Sequence, residues 1–249
     1  MWTDVVDLRD FYATSPGRMA RRLLNRRLRA IWPDLTGQRV LGLGYPVPYL
    51  GVYQDESERT LAVMPALQGV LHWPQSGPNQ VALADEAELP FPDQSLDRVM
   101  LIHALEFSEQ VRPMLREAWR VMTSGGRLLV VVPNRRGIWA RLERTPFGRG
   151  QPYTYGQLSR LLRENLFTPV TNAAALYAPP SASRMMLSTA PAWERLGSRW
   201  FRTVAGVVII EASKQIYAAS AVSQRRRRGR RPAYLPVGQG SPRSITGAC

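Results

Sequence analysis

Residues 84–99 read Ala-Asp-Glu-Ala-Glu-Leu-Pro-Phe-Pro-Asp-Gln-Ser-Leu-Asp-Arg-Val, a mostly polar stretch that leads into an apolar run at residues 98–102. That run predicts a buried strand, and residues 80–83 predict another strand just before the stretch. Short apolar runs bounded by turn residues are typical of strands that are covered on both faces. The stretch therefore lies between two predicted strands, and Asp97 stands at the start of the second.

Similar apolar runs recur on both sides of this stretch. They predict strands at residues 39–43 and 60–63 before it, and at residues 127–132, 167–170 and 204–211 after it. Helical spacing of apolar residues predicts helices at residues 111–122 and 156–165, and Gly125-Gly126 is predicted to turn the chain into the next strand. Alternating strands and helices predict an α/β fold with a mainly parallel sheet and helices on both faces.

The first 36 residues are predicted to be helical. Ser15-Pro16 is a predicted helix start with Ser15 as the cap, and Pro33 and Gly37 end the helix. One stripe of the helix is apolar and much of the rest is arginine; the stripe holds Met19, Leu23, Leu24, Leu28 and Ile31. This pattern favours an amphipathic helix packed on the domain with a solvated basic face. A membrane-surface role is the less favoured alternative.

The net charge of +14 is unevenly distributed along the chain. Residues 224–249 contain no acidic residue and seven arginines, namely Arg225, Arg226, Arg227, Arg228, Arg230, Arg231 and Arg243. Arginine, glycine, proline and serine dominate this segment, and such a composition buries too little apolar surface to order a chain. We therefore predict a helical extension at residues 1–36, a domain at residues 37–223 and a disordered basic tail at residues 224–249.

The single cysteine, Cys249, allows neither an intramolecular disulfide nor a cysteine-based metal site, and no metal site is predicted. The first residues are acidic and lack the apolar stretch of a secretory signal. The longest apolar runs are far shorter than the ~20 residues that span a bilayer. We therefore expect a cytoplasmic protein without a transmembrane segment.

Three sequence blocks follow the order of a known family. The first is Val40-Leu41-Gly42-Leu43-Gly44, the second is residues 84–99 running on to Ile102–Glu106, and the third is residues 116–128. The second is similar to the pattern D-A-x-x-L-P-F-x-D-x-S-F-D-x-V, and the third to E-x-x-R-V-L-x-P-G-G-x-L with Ser124 in place of proline. Together they resemble the class I S-adenosylmethionine-dependent methyltransferases, and most closely the type 11 small-molecule enzymes.

The resemblance implies a Rossmann-like three-layer sandwich with a mostly parallel seven-stranded sheet. Its last strand, at residues 207–214, would run antiparallel to its neighbour. It also implies S-adenosylmethionine as cofactor and methyl transfer to a small molecule. Ligands of open α/β sheets bind at the carboxyl ends of the strands. The cofactor-binding residues implied there are Gly42 and Gly44 by close backbone approach, Asp85 at the adenine amino group, Glu86 and Ala87 by backbone contacts, and His103.

His103 is also the candidate catalytic residue, because histidine serves as a general base near neutral pH. A hydrogen-bonded packing histidine is the alternative. On the substrate side, Asn134, Arg135 and Arg136 follow a predicted strand, and Tyr153 and Tyr155 end a glycine- and proline-rich loop. Such loops often cover active sites, so these residues are candidates for contact with an anionic substrate.

Two departures from the family open a second hypothesis. The position that is normally acidic in the first motif is Gly42, and its later glycines are Pro46 and Pro48. The acid that normally holds the ribose at the end of the second strand is replaced by Met64. The chain would then be an inactive methyltransferase-like binding module, and residues 225–231 would contact a nucleic acid or another polyanion. A merely solubilising tail is a further alternative.

Overall fold

The computed structural model describes residues 4–200 and 202–216, and a seven-stranded sheet runs through this part of the chain. The strands are β1 Arg39–Gly44, β2 Arg59–Pro65, β3 Val81–Ala84, β4 Leu96–Ile102, β5 Met122–Pro133, β6 Phe167–Ala175 and β7 Val207–Lys214. Their order in the sheet is β3-β2-β1-β4-β5-β7-β6. Only β7 runs antiparallel to its neighbours, β5 and β6. The predicted mostly parallel seven-stranded α/β sheet is confirmed.

Six α-helices accompany the sheet in the described residues. They are α1 Val5–Ala13, α2 Ser15–Ile31, α3 Val47–Leu50, α4 Val111–Val121, α5 Tyr155–Glu164 and α6 Arg184–Trp200. One face of the sheet packs against α1 and α2, and the other packs against α4 and α5. Successive strand residues alternate between the two cores: Val40 belongs to the first and Leu41 to the second. This alternation follows from the two-residue period of a strand and produces the three layers.

The N-terminal segment forms two helices instead of one. Thr14 separates them, and its side chain accepts a hydrogen bond from the backbone N–H of Gly17. The predicted cap, Ser15, is therefore the first residue of α2, and the cap is one residue earlier. The chain turns so tightly there that a Cβ on Gly17 would lie 2.0 Å from the backbone oxygen of Phe11. Both helices share a core with the sheet.

Several predicted boundaries are wrong. Gly125 and Gly126 belong to β5, because the strand already pairs at Met122 with Leu96 of β4. The last strand begins at Val207, so the prediction of a strand from residue 204 is three residues early. The helix α6 was not predicted at all. The other predicted strands and helices are present within a few residues of their expected ends, although β6 is five residues longer.

The arginine-rich segment at residues 224–249 lies outside the described residues, so its predicted disorder and the contacts of residues 225–231 stay predictions. The division into a helical extension, a domain and a tail also stays a prediction. Among the helices that are described, none has the length and apolarity needed to cross a bilayer.

Asp97, at the amino end of β4, bonds to the amino ends of β1 and β5. Its carboxylate accepts hydrogen bonds from the backbone N–H and the Nε of Arg39, both at 3.0 Å, and one from Thr123 Oγ1 at 3.3 Å. Burial alone would raise the pKa of this carboxyl, but Arg39 and Thr123 outweigh it and hold the pKa below its ordinary value. Asp97 is therefore ionised when folded and ties β4 to β1 and β5.

We expect Asp97→Asn to lower the free energy of unfolding by about 1–2 kcal/mol at pH 7, since charge-assisted hydrogen bonds are lost. Because the folded pKa is below the unfolded one, this stabilisation is complete above about pH 4 and is lost as the pH falls through the folded pKa. Urea unfolding of both proteins between pH 7 and pH 3 should therefore show a shrinking difference. Asp55→Asn, at an exposed carboxylate, is the control and should change little at any pH.

Candidate functional site

The carboxyl ends of β1 and β4 meet at one edge of the sheet, where Gly44 pairs with Ile102. Gly44 has φ 93° and His103 has φ 50°, so both strands turn sharply as they end. A Cβ on Gly44 would lie 2.4 Å from the backbone oxygen of Ile102. The close approach of β1 and β4 therefore requires glycine at residue 44, even when no ligand is bound.

Pro46 occupies the space beside Gly42. A Cβ on Gly42 would lie 2.4 Å from the Pro46 ring. The proline that replaces a family glycine thus packs on the glycine that replaces the family acid. Within the first motif, Pro46 can therefore take this position only because residue 42 is glycine.

Tyr12 of α1 enters the crevice between β1 and β4. Its hydroxyl lies 2.7 Å from the hydroxyl of Tyr49 and 2.7 Å from Nε2 of His103. Its ring stacks on the ring of Tyr45 with centroids 5.8 Å apart. Tyr12 is 6% exposed, Tyr45 4%, Tyr49 0% and His103 1%. Side chains of this chain therefore fill the place outside the carboxyl ends of β1 and β4.

Glu106 completes a chain of hydrogen bonds. Its Oε1 lies 3.1 Å from Nδ1 of His103, and the residue is buried. A carboxylate only accepts, so Nδ1 of His103 donates to Glu106, and the Tyr12 hydroxyl is the partner of Nε2. Burial raises the pKa of Tyr12 and Tyr49 well above the ordinary value, so both hydroxyls keep their protons.

Phe147 closes the crevice from the side of the loop after β5. Its ring centroid lies 4.9 Å from that of His103, 6.2 Å from that of Phe11 and 5.4 Å from that of Trp139. An ion pair between Arg149 and Asp7, at 3.0 Å, joins this loop to α1. The helix α1 and the loop together cover the crevice. The glycine-rich loop thus lies over the predicted site, as a covering loop would.

Asp85 and Glu86 follow β3 and have different surroundings. Asp85 is exposed, and its Oδ1 accepts a hydrogen bond from the backbone N–H of Ala87 at 2.8 Å. Glu86 is buried and accepts a hydrogen bond from Ser108 Oγ at 3.2 Å. Asp85 therefore shapes a local turn, and its role at the adenine stays a prediction.

An amide side chain lies just beyond the end of β2. Met64 is fully buried, but Gln68 lies just beyond the strand and its Nε2 donates to the backbone oxygen of His103 at 3.4 Å. Oε1 of Gln68 and Oε2 of Glu106 are buried and have no hydrogen-bond partner among the described residues. Glu56 could also supply a carboxylate for the ribose by its place in the sequence, but it binds Arg29 and precedes β2, so it lies at the opposite edge of the sheet.

A separate cavity of about 550 Å³ lies at the carboxyl end of β5. Asn134, Arg136 and Tyr155, three of the five predicted substrate-side residues, line it, and so does Arg27 of α2. No acidic residue stands among the described residues that line it. The amino terminus of α5 also opens onto it, and that end of a helix carries partial positive charge. The cavity is therefore suited to an anion.

The other two substrate-side residues are elsewhere. Arg135 is exposed and its Nε donates to the backbone oxygen of Pro152 at 3.3 Å. Tyr153 is half-buried against the core on the α4 and α5 side. Asn134 itself is engaged structurally, because its Nδ2 donates to the backbone oxygens of Thr203 and Ala205. Only Arg136 and Tyr155 of the five offer side chains that are exposed at the cavity.

Known proteins match the same part of the chain. Residues 48–130 match the family described as "Methyltransferase domain". Residues 48–130, which run from α3 into β5, are therefore similar to methyltransferase domains. A 27-O-demethylrifamycin SV methyltransferase of Amycolatopsis mediterranei is 31% identical over 124 residues, which are 47% of this chain and 42% of that protein. The chain thus spans about two fifths of the length of the curated relatives that it matches.

Solved structures share the fold of this chain. A SAM-dependent methyltransferase from Thermotoga maritima has a TM-score of 0.57 at 17% identity, covering 85% of this chain and 96% of that one. A Burkholderia thailandensis 1,6-didemethyltoxoflavin-N1-methyltransferase, with S-adenosylhomocysteine bound, has a TM-score of 0.51 at 16% identity, covering 77% and 76%. These likenesses confirm the Rossmann-like methyltransferase fold.

S-adenosylmethionine does not fit the crevice in this arrangement. The residues at the ends of β1 and β4 are buried by Tyr12 and Phe147, so they present no open surface to a nucleoside. Gln68 Oε1 and Glu106 Oε2 are buried acceptors without a partner among the described residues, and donors such as ribose hydroxyls could satisfy acceptors of this kind. The predicted roles of Gly42, Gly44, Glu86, Ala87 and His103 toward the cofactor stay predictions.

The residues that close the crevice were not predicted. Tyr12 is 91 residues from His103, and no local pattern links them. The helical spacing of Val5, Leu8 and Tyr12 indicates an inward face of α1 but not its partner. Glu106 stands within the second sequence block, where its role as the partner of His103 was not recognised.

Proposed function

We propose that this chain is an S-adenosylmethionine-dependent methyltransferase whose crevice is closed by α1 and opens to admit the cofactor. The match of residues 48–130 to a methyltransferase domain carries this proposal. The crevice at β1 and β4 supplies the cofactor side, with Gln68 just beyond the end of β2. The open state exposes Gln68 Oε1 and Glu106 Oε2, two acceptors that the closed state leaves unpaired.

Titration calorimetry of the full chain with S-adenosylhomocysteine and S-adenosylmethionine tests the proposal. Both should bind, and Asp85→Ala should weaken binding about tenfold if Asp85 holds the adenine amino group. Asp85 is exposed, so its replacement leaves the core intact, and Glu88→Ala at a neighbouring exposed carboxylate is the control. Absence of binding up to millimolar concentration would overturn the proposal.

The second candidate is the inactive methyltransferase-like module. It is favoured by one observation, the complete burial of the crevice by Tyr12, Tyr49 and His103. In that case S-adenosylhomocysteine would not bind even when α1 is loosened. A polyanion would be retained through residues 225–231, which deletion of these residues would abolish.

The acceptor of the proposed enzyme is a small anionic molecule held in the cavity beside Arg27 and Arg136. The cavity lies at the same carboxyl edge as the crevice. It extends from the end of β5 over β7 and β6, so its nearest side is two strand spacings, about 10 Å, from β1. No described residue bonds the guanidinium of Arg136, so its charge is available to a ligand.

We expect Arg136→Gln to weaken binding of the aromatic anion 1-anilinonaphthalene-8-sulfonate about three- to tenfold, because one charge-assisted contact is lost. Arg27→Gln should act in the same direction. Fluorescence titration measures the affinity. Arg135→Gln removes the same charge from the adjacent residue outside the cavity, and an equal loss in that control would contradict a specific site.

A further inference from the structure

The helix α6 presents an exposed apolar stripe to its surroundings. Met185 is 70% exposed, Trp193 47%, Leu196 59% and Trp200 70%. With 3.6 residues per turn, these four positions fall within about 80° of the helix circumference. They extend over about 22 Å of its length, since each residue rises 1.5 Å. Two tryptophans and two aliphatic side chains thus form one apolar line.

Arginines border the stripe on one side. Arg184, Arg195 and Arg199 are exposed, and an ideal helix places them within about 60° of one another, next to the apolar positions. The guanidinium of Arg199 lies 5.9 Å from the Trp200 ring centroid. The one acidic residue of α6, Glu194, points inward and accepts a hydrogen bond from the backbone N–H of Tyr177 at 2.6 Å.

The neighbouring helix α2 extends the positive surface. Arg18, Arg22 and Arg26 follow one another at intervals of four, are exposed, and line a groove of about 270 Å³ with Leu187 and Pro191 of α6. The sequence of α2, SPGRMARRLLNRRLRAI, contains no acidic residue. The outer surface of the two helices therefore combines arginines with an apolar stripe and presents no carboxylate.

We propose that this α2–α6 surface binds the anionic surface of a lipid bilayer. Tryptophan and leucine on one face of a helix, with arginines beside them, are the pattern of helices that lie in the membrane interface. An apolar line along one face of a helix suits a surface with an apolar interior, and the arginines suit anionic headgroups. A nucleic acid would use the arginines and the tryptophan rings but would gain little from Met185 and Leu196. The proposal does not depend on methyl transfer.

Sedimentation with vesicles tests the proposal on the full chain. Vesicles of phosphatidylcholine and phosphatidylglycerol (7:3) should bind the chain at least tenfold more tightly than pure phosphatidylcholine at 0.1 M NaCl. The double variant Leu196→Gln with Trp200→Gln should lower that affinity about tenfold or more. Leu83→Gln is the matched control, because Leu83 is 51% exposed on the strand at the opposite edge of the sheet.

Further variants separate the electrostatic attraction of the arginines from the insertion of the tryptophans into the bilayer. Arg195→Gln with Arg199→Gln should weaken binding several-fold, whereas Arg116→Gln with Arg160→Gln, exposed on α4 and α5, should not. Lipids with brominated acyl chains should quench tryptophan fluorescence in the wild-type chain. This quenching should be lost in Trp193→Phe with Trp200→Phe. Residues 225–231 are present in every protein compared, so their contribution cancels.

Three results would overturn the proposal. Equal binding to neutral and anionic vesicles would remove the role of the arginines. Retention of poly(U) RNA that is stronger than vesicle binding and insensitive to Leu196→Gln with Trp200→Gln would assign the surface to nucleic acid. A dimer, measured by light scattering, that dissociates in the same variant would assign the stripe to a second copy of this chain.

Discussion

Tyr12→Ala should raise the affinity of the chain for S-adenosylhomocysteine by tenfold or more. In the closed state Tyr12 contributes two hydrogen bonds and a stacked ring to the crevice. Truncation of a buried aromatic ring costs about 3–5 kcal/mol where the ring is packed. Because Tyr12 is packed in the closed state, the substitution destabilises that state relative to the open one. If the cofactor binds only the open state, apparent affinity rises in proportion to the open fraction.

Calorimetry of Tyr12→Ala, Tyr12→Phe and the wild-type chain measures this effect. Tyr12→Phe keeps the ring and loses the hydroxyl, so its affinity should lie between the other two. Val6→Ala is the control on the same helix, because Val6 is 42% exposed and should not affect closure. A lower affinity in Tyr12→Ala would show that Tyr12 itself contacts the cofactor, and an unchanged affinity would show that α1 is no barrier.

Gly44→Ala should destabilise the fold by roughly 3 kcal/mol or more. The added Cβ would lie 2.4 Å from the backbone oxygen of Ile102 and 2.8 Å from that of His103, and φ is 93°. Neither oxygen is a flexible side chain that can move aside, and a positive φ adds strain for any residue with a Cβ. The cost arises from the approach of two strands and does not require a ligand.

Urea unfolding without ligand measures the loss of folding stability in Gly44→Ala. Gly51→Ala is the matched control, because Gly51 has φ −57° and no atom within 4 Å of its added Cβ. Its stability should stay within about 0.5 kcal/mol of the wild type or rise slightly. Equal stability of Gly44→Ala and Gly51→Ala would contradict the close approach at residue 44. Loss of cofactor binding in a Gly44 variant therefore reports on unfolding, and Asp85 is the cleaner position for that test.

The sequence was sufficient for the sheet and for the helices α4 and α5, but not for α6. A short continuous apolar run such as Leu128–Val132, bounded by turn residues, is typical of a strand that is covered on both faces. The second block, residues 84–99, carried much of the resemblance to the methyltransferase family, and that resemblance implied the antiparallel β7. The predicted start of β5 was wrong at Gly125 and Gly126, because pairing with β4 overrode the local preference of glycine for turns.

The state of the site was decided only by the tertiary structure. His103 was recognised as a candidate from its place after a strand, but its partners Tyr12 and Glu106 come from a helix 91 residues earlier and from a turn three residues later. Likewise, the exposed stripe of α6 follows from which face of that helix packs inward. Strand formation depends on neighbouring residues and is therefore readable in the sequence, whereas closure of the crevice depends on contacts between distant segments, which sequence periodicity does not encode.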